Sequence, residues 1–163
     1  MTWFVSENAL LNQAIADLST TAKHRLGSIV RAKDATYGEG EFIYLAGVAS
    51  TVAKSWVTYE ADSYTTALLA ANAIGPVAIA MAACTASYYG WYQINGKALG
   101  KCLTLYASGT RAWITGTGGS VDDTSVAGDG IQRVKGASTA TVGDLFAEFS
   151  IERPFVDDFT SFS

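Results

Sequence analysis

From Ser63 to Gly96 the chain carries no charged side chain. A bilayer-spanning helix needs about 20 consecutive apolar residues, so length alone permits one. The composition opposes it: the most apolar part is mostly alanine and is broken by Asn72 and by Gly75-Pro76. Tyr88 through Ile94 then reads as aromatic and β-branched, and Asn95-Gly96 is the strongest short-range hairpin signal. The pattern predicts buried strands closed by a type I′ turn at Asn95-Gly96, and no membrane partner.

From Ser28 onward the period is two, or the runs are short and apolar. "SIVRA", "GEGEFIYLAGV", "YTTALLA", "PVAIAMA" and "RAWITG" all read as strands. "KSWVTYE" puts Trp56 and Thr58 on one face and Val57 and Tyr59 on the other. "LFAEFSIERPF" sets Phe146, Glu148 and Ser150 against Ala147, Phe149 and Ile151. Short strands at regular spacing predict an all-β, single-domain β-sandwich or barrel of jelly-roll type over 28–153. Before it, residues 1–27 form an N-terminal arm or a short helix. Leu11, Ile15 and Leu18 at i, i+4, i+7, with Ser6 as cap and Lys23, His24, Arg25 and Gly27 at the end, favour the helix. Residues 154–163 read as an extended C-terminal tail.

Charged residues make up 16% of the chain, where about a quarter is usual. A surface so short of charge points to subunit contacts. The net charge of −4 and pI of about 4.8 leave no clustered basic face for nucleic acid. Trp3, Phe4 and Val5 run straight into Glu7 and Asn8 without the basic start of an export signal. Cys84 and Cys102 are too few for a disulfide scaffold or a zinc cage. Both lie in apolar runs and read as buried free thiols.

The search for chemistry yields no enzyme and no cofactor. His24, the single histidine, lies in a basic segment and reads as a solvated residue near a helix end. Asp122, Asp123 and Asp129 in "SVDDTSVAGDGI" lack the ligand spacing of an EF-hand loop and read as solvated turn residues, so no metal is expected. "GTGGS" has no following Lys-Ser or Lys-Thr and reads as a flexible β-connection rather than a phosphate loop. Trp56, Tyr88, Tyr89, Trp91 and Tyr92 have the chemistry to stack on sugars, but read first as core or interface mass.

Several segments together resemble the head decoration, or capsid cement, proteins of tailed bacteriophages. They are "LGSIVRAKDATYGEGEFIYLAGVAS", "WVTY", "TALLAANAIGPVAIAMAACTASYYGWYQINGKALGK", "GSVDDTSVAGD" and "FAEFSIERPF", with "AIGPVAIAM" and "YGWYQINGKA" the most specific. The resemblance runs from about Leu26 to Phe155; the segment before it looks longer than is usual for such proteins. It implies a compact β-protein on the outer surface of the virion, made in the host cytoplasm and associating as a homotrimer. Its partner would be the major capsid protein, whose neighbouring capsomers it bridges. The residues expected to make those contacts are the large apolar groups near the two ends: Trp3, Phe4, Phe155, Phe159 and Phe162. The alternative is a carbohydrate- or receptor-binding β-module of a phage tail or attachment structure.

Overall fold

The structure is a computed structural model that describes residues 3–5 and 13–159. Among these residues every regular element is a strand: β1 (Trp3–Val5), β2 (Leu18–Ser19), β3 (Ile29–Asp34), β4 (Gly38–Ala46), β5 (Trp56–Tyr59), β6 (Thr66–Leu68), β7 (Ile74–Ala80), β8 (Tyr89–Lys101), β9 (Trp113–Ile114), β10 (Val121–Asp122), β11 (Gln132–Gly136) and β12 (Phe146–Asp157). Ten of them form one antiparallel sheet in the order β1-β3-β4-β8-β12-β7-β5-β6, with β2 beside β8 and β11 beside β12. The sheet curls into a half-barrel, and the expected all-β, single-domain class holds. β9 and β10 make a separate hairpin around "GTGGS".

The centre of the sheet is buried on both faces. In β4, Phe42 and Tyr44 join Trp91 and Ile15 in one core, while Ile43 and Leu45 join Tyr92, Val57 and Cys84 in another. A third core takes Trp56, Val77, Ile79 and Phe149 against Tyr106, Ile114, Val121 and Ile131 of the excursion between β8 and β12. A strand covered on both faces reads as a continuous apolar run, which accounts for the β7 and first-half β8 portions of the charge-free stretch. One of its alanines has a steric reason: Ala80 lies directly opposite the ring-bearing Tyr92.

The turn expected at Asn95-Gly96 is not there. β8 runs straight through it for 13 residues. Only Gly96 has positive φ, at 100°, whereas a type I′ turn requires it at both central residues. Each half of β8 has a better partner than the other half. Residues 89–96 pair with β4, and 95–101 pair with β12. Where the two ladders meet, pairing passes from Glu41↔Asn95 to Phe42↔Gln93, which leaves Ile94 as the extra residue of a bulge. Gln93, 1% exposed, repairs the gap by donating from Nε2 to the carbonyls of Asn95 (3.1 Å) and Lys97 (3.0 Å).

The described part of the expected helix, 13–26, is an arm of turns plus β2. Its apolar residues serve opposite faces of the sheet: Ile15 enters the Phe42–Trp91 core, and Leu18 packs on the Tyr92 core. A helix has one apolar stripe and cannot reach both. Gln13 fixes the arm by donating to the carbonyls of Asp17 (2.8 Å) and Tyr89 (2.9 Å) and accepting from the Tyr44 hydroxyl (2.7 Å). At the other end β12 continues through Asp157 and pairs with β7, so 154–157 is strand rather than tail.

Gly96 is the test of this architecture. A Cβ there would lie 2.4 Å from the Glu39 carbonyl oxygen, whereas at Gly38 (φ +75°) nothing lies within 4 Å. Gly38→Ala should cost about 1 kcal/mol, the strain of the left-handed region alone. Gly96→Val should cost at least about 3 kcal/mol, because strain and a backbone clash combine. Urea denaturation midpoints measure both, and equal losses would contradict the packing described.

Candidate functional site

β12 positions the surface features that stand out. From Phe146 to Ile151 it alternates as the sequence predicts, with Ala147, Phe149 and Ile151 buried. Phe149 meets Trp56 and Tyr106 at ring-centroid distances of 5.0 Å each. Strict alternation would then turn Phe155 inward, like Phe149. It does not, because Arg153 adopts φ +46°, both Glu152 and Arg153 are exposed, and the pattern inverts: Pro154 and Val156 are buried while Phe155 faces out. The neighbouring strand carries a matching irregularity, with Arg133 at φ +61° between Gln132 and Val134.

Phe155 lies opposite Pro76 on β7 and diagonal to Ile74, which is 70% exposed. The guanidinium of Arg133 stands 5.8 Å from the Phe155 ring centre. Beside this patch opens a cleft of about 240 Å³ lined by Trp113, Val126 and Phe159, with Arg111, Gln132 and Asp157 among its polar walls. Arg111 lies 5.7 Å from the Trp113 ring and donates from Nη2 to Gln132 Oε1 at 3.3 Å. Among the described residues Arg111 makes no ion pair, and neither does Asp157.

At the opposite end of β12, Phe146 is exposed under the Lys54 amine, 4.3 Å from its ring centre. Leu145 beside it is exposed as well, and Val142, four residues before it, is 83% exposed. Val142 rides on a turn whose carboxylate, Asp144, accepts from the hydroxyl and the amide of Thr141. That hydroxyl, then the amide, hold Asp144 below the usual carboxylate range. No family model, curated protein or solved structure matches the chain.

The structure brings Phe155 and Phe159 to one region, Phe159 being 53% exposed. Trp3 is away from these two: it is half-buried on β1, edge-on to Phe42 at 4.9 Å, and lines a pocket with Lys54 and Leu99, Lys54 being the residue that stands over Phe146. Phe4 is registered opposite Lys33 in the same short strand. Phe162 lies outside the described residues. The sequence reading missed Ile74, Arg111, Trp113 and Val126, which come from separate segments. It also passed over Phe146, although the alternation of β12 already placed it outward with Glu148 and Ser150.

Other candidates turn out to be structural. Trp56, Trp91 and Tyr92 are fully buried, which removes them as sugar-stacking surfaces. His24 is not solvated as expected: its ring packs on Tyr44 (5.2 Å) and Trp91 (5.1 Å), and its Nε2 is buried. Asp123 accepts from the Ala107 amide and Asp129, itself buried, from the Asn72 amide, so neither is a solvated turn residue. "GTGGS" is pinned rather than loose, since Gly119 bonds the backbones of Trp56 and Leu69.

Cys84 and Cys102 are free and buried, in different cores. Burial pushes the Cys84 thiol up. Burial first, then the carboxylates of Asp122, Asp144 and Asp123, raise Cys102 to about 11. At pH 8 only about one Cys102 in a thousand is then thiolate, the reactive form. Neither thiol should react with a disulfide reagent in the native protein, and both should react after denaturation. Because the folded value lies above the unfolded one, the contribution of Cys102 to stability is complete below about pH 8.5 and is lost as pH rises towards 11. Rapid native labelling of either cysteine would contradict this placement.

Proposed function

We propose that this chain is a structural protein that decorates the outside of a bacteriophage head and bridges neighbouring capsomers, as the resemblance of its sequence implies. The observation that supports it best is the inverted alternation at Arg153. A non-glycine residue in the left-handed region costs about 1–2 kcal/mol, and here the result is to turn a phenylalanine out of the core. Backbone strain that exposes an apolar ring is expected at a contact site, where a partner covers the ring on binding.

Phe146 extends the same argument. It lies nine residues before Phe155 on one rigid strand, a separation of about 30 Å at 3.3 Å per residue. Two apolar regions held that far apart suit a protein that touches two neighbours, whereas a module binding one small ligand needs one pocket. Several such contacts become tight when they are made together by an oligomer, because the later ones form at high effective concentration. The carbohydrate-binding alternative has lost Trp56, Trp91 and Tyr92 but keeps Tyr88, which is exposed.

Removing the chain after Pro154 would strip part of the β12–β7 ladder, so point variants are the cleaner probe. Phe146→Ser and Phe155→Ser change exposed side chains and should leave the fold intact. Each should weaken binding to expanded heads by about 2 kcal/mol per contact, and the double variant should not co-sediment with heads. Full occupancy by the double variant would overturn this assignment of the contacts. Failure of the unmodified chain to bind heads would overturn the decoration reading.

A further inference from the structure

We propose that the recess between Trp3 and Leu99 receives the ring of a tyrosine supplied by the protein that covers Phe146. The inference rests on the contact reading above and names the partner's chemistry at one of its two regions. The recess holds about 110 Å³, and its walls include Trp3, Met81, Leu99, Lys54, Gln93 and the exposed Ala16.

Its place beside Phe146 follows from the sheet register. Phe146 lies opposite Lys101 on β8, and Leu99 stands two residues before Lys101, so Phe146 and Leu99 are diagonal neighbours on one face. Lys54 joins them: it forms part of the wall and holds its amine 4.3 Å from the Phe146 ring centre. Gly40 lets the other walls meet, since a Cβ there would lie 3.0 Å from Gln93 Nε2 and 3.1 Å from the Trp3 ring. Beyond the recess, exposed Phe146 and Leu145 extend the apolar surface. A free ring-sized ligand would leave that surface wet, whereas a protein covers recess and surface together.

Gln93 sets the polar requirement. It is 1% exposed, and its Nε2 is committed to the carbonyls of Asn95 and Lys97. Those two bonds fix the amide's orientation, and Oε1 is left buried with no hydrogen-bond partner among the described residues. A buried acceptor without a donor is costly, and a group that enters the recess and donates one hydrogen bond removes that cost. Lysine and arginine would bring charge against Lys54 and the apolar walls. Serine and threonine are too short to fill the space. A closed apolar cavity of about 150 Å³ holds a whole benzene; about 110 Å³ takes most of one ring and leaves its stem outside, as a side chain requires. The phenol of tyrosine is the neutral group that joins one ring to one hydroxyl donor, and the Met81 thioether suits its edge.

p-Cresol, the tyrosine side chain as a free molecule, probes the site on the full chain labelled with ¹³C-methyl methionine. The sequence has two methionines, Met1 and Met81. The Met81 methyl signal should shift saturably, with Met1 as the reference. Ala16→Trp fills the mouth from an exposed position and should abolish the shift, with circular dichroism confirming the fold. Gln93→Leu should lower the preference for p-cresol over p-xylene about tenfold, the worth of one hydrogen bond; taking the ratio cancels the burial of the ring itself. On expanded heads, Ala16→Trp should weaken binding at least tenfold, the loss of one anchoring side chain, and p-cresol should compete with heads for the unmodified chain. No saturable Met81 shift, a shift that survives Ala16→Trp, or an unchanged preference in folded Gln93→Leu would overturn the ring site. Head binding indifferent to both Ala16→Trp and p-cresol would overturn the partner's tyrosine. Heads that ignore the unmodified chain while Met81 still responds would refute the decoration reading alone.

Discussion

The fold depends on β8 remaining one continuous strand. It is the only described element that pairs with four others: β2 and β4 along its first half, β7 at Tyr92–Gln93 and β12 along its second half. That continuity requires two places where no side chain stands. At Gly96 the backbone of β4 approaches too closely for a Cβ, and at Gly100 a Cβ would lie 2.7 Å from the indole nitrogen of Trp56. The same indole donates to the Lys101 carbonyl at 3.0 Å, so the largest side chain of the third core lies across β8 and is hydrogen-bonded to it. Nearly all of these pairings are distant in sequence. Loop-closure entropy must therefore be met before the contacts form.

What the sequence revealed was parity, and what it concealed was competition. The alternation in "LFAEFSIERPF" and "KSWVTYE" stated which side chains face the core, since a half-buried strand permits one arrangement. The Asn95-Gly96 signal is equally local, yet it lost to β4 and β12, partners supplied by residues tens of positions away. The helix pattern at Leu11, Ile15 and Leu18 satisfied a spacing rule that assumes one apolar surface. This sheet has two, and the arm threads Ile15 and Leu18 to different ones. His24 misled in the same way: basic neighbours suggested solvent, but a Tyr44–Trp91 platform lay waiting on β4 and β8.

The candidate site divides along the same line. That Phe155 and Phe159 are exposed agrees with the expectation that an end segment is too short to hide large apolar groups. Which way Phe155 points was not legible, because the inversion depends on Arg153 taking a backbone conformation usually left to glycine or asparagine. The cleft beside it was invisible for a different reason. Arg111 lies just before β9 and Trp113 on it, Val126 in a loop, Gln132 on β11 and Asp157 at the end of β12, and nothing but the fold joins them.

The strain at Arg153 and Arg133 needs an offset, and the surroundings supply one. Arg153 pairs with Glu41 at 3.1 Å, but its side chain is 57% exposed, and a pair so open to solvent contributes little. The larger contribution comes from burial: once the alternation inverts, Pro154 and Val156 enter the core in place of Phe155. An aliphatic side chain fully buried is worth about 1.5–3 kcal/mol, comparable to the strain. The inversion is thus nearly neutral for the folded chain, and its net effect is to bury Pro154 and Val156 while leaving Phe155 exposed. Because that ring is held on a strand paired on both sides, little conformational entropy remains to be lost when it is covered.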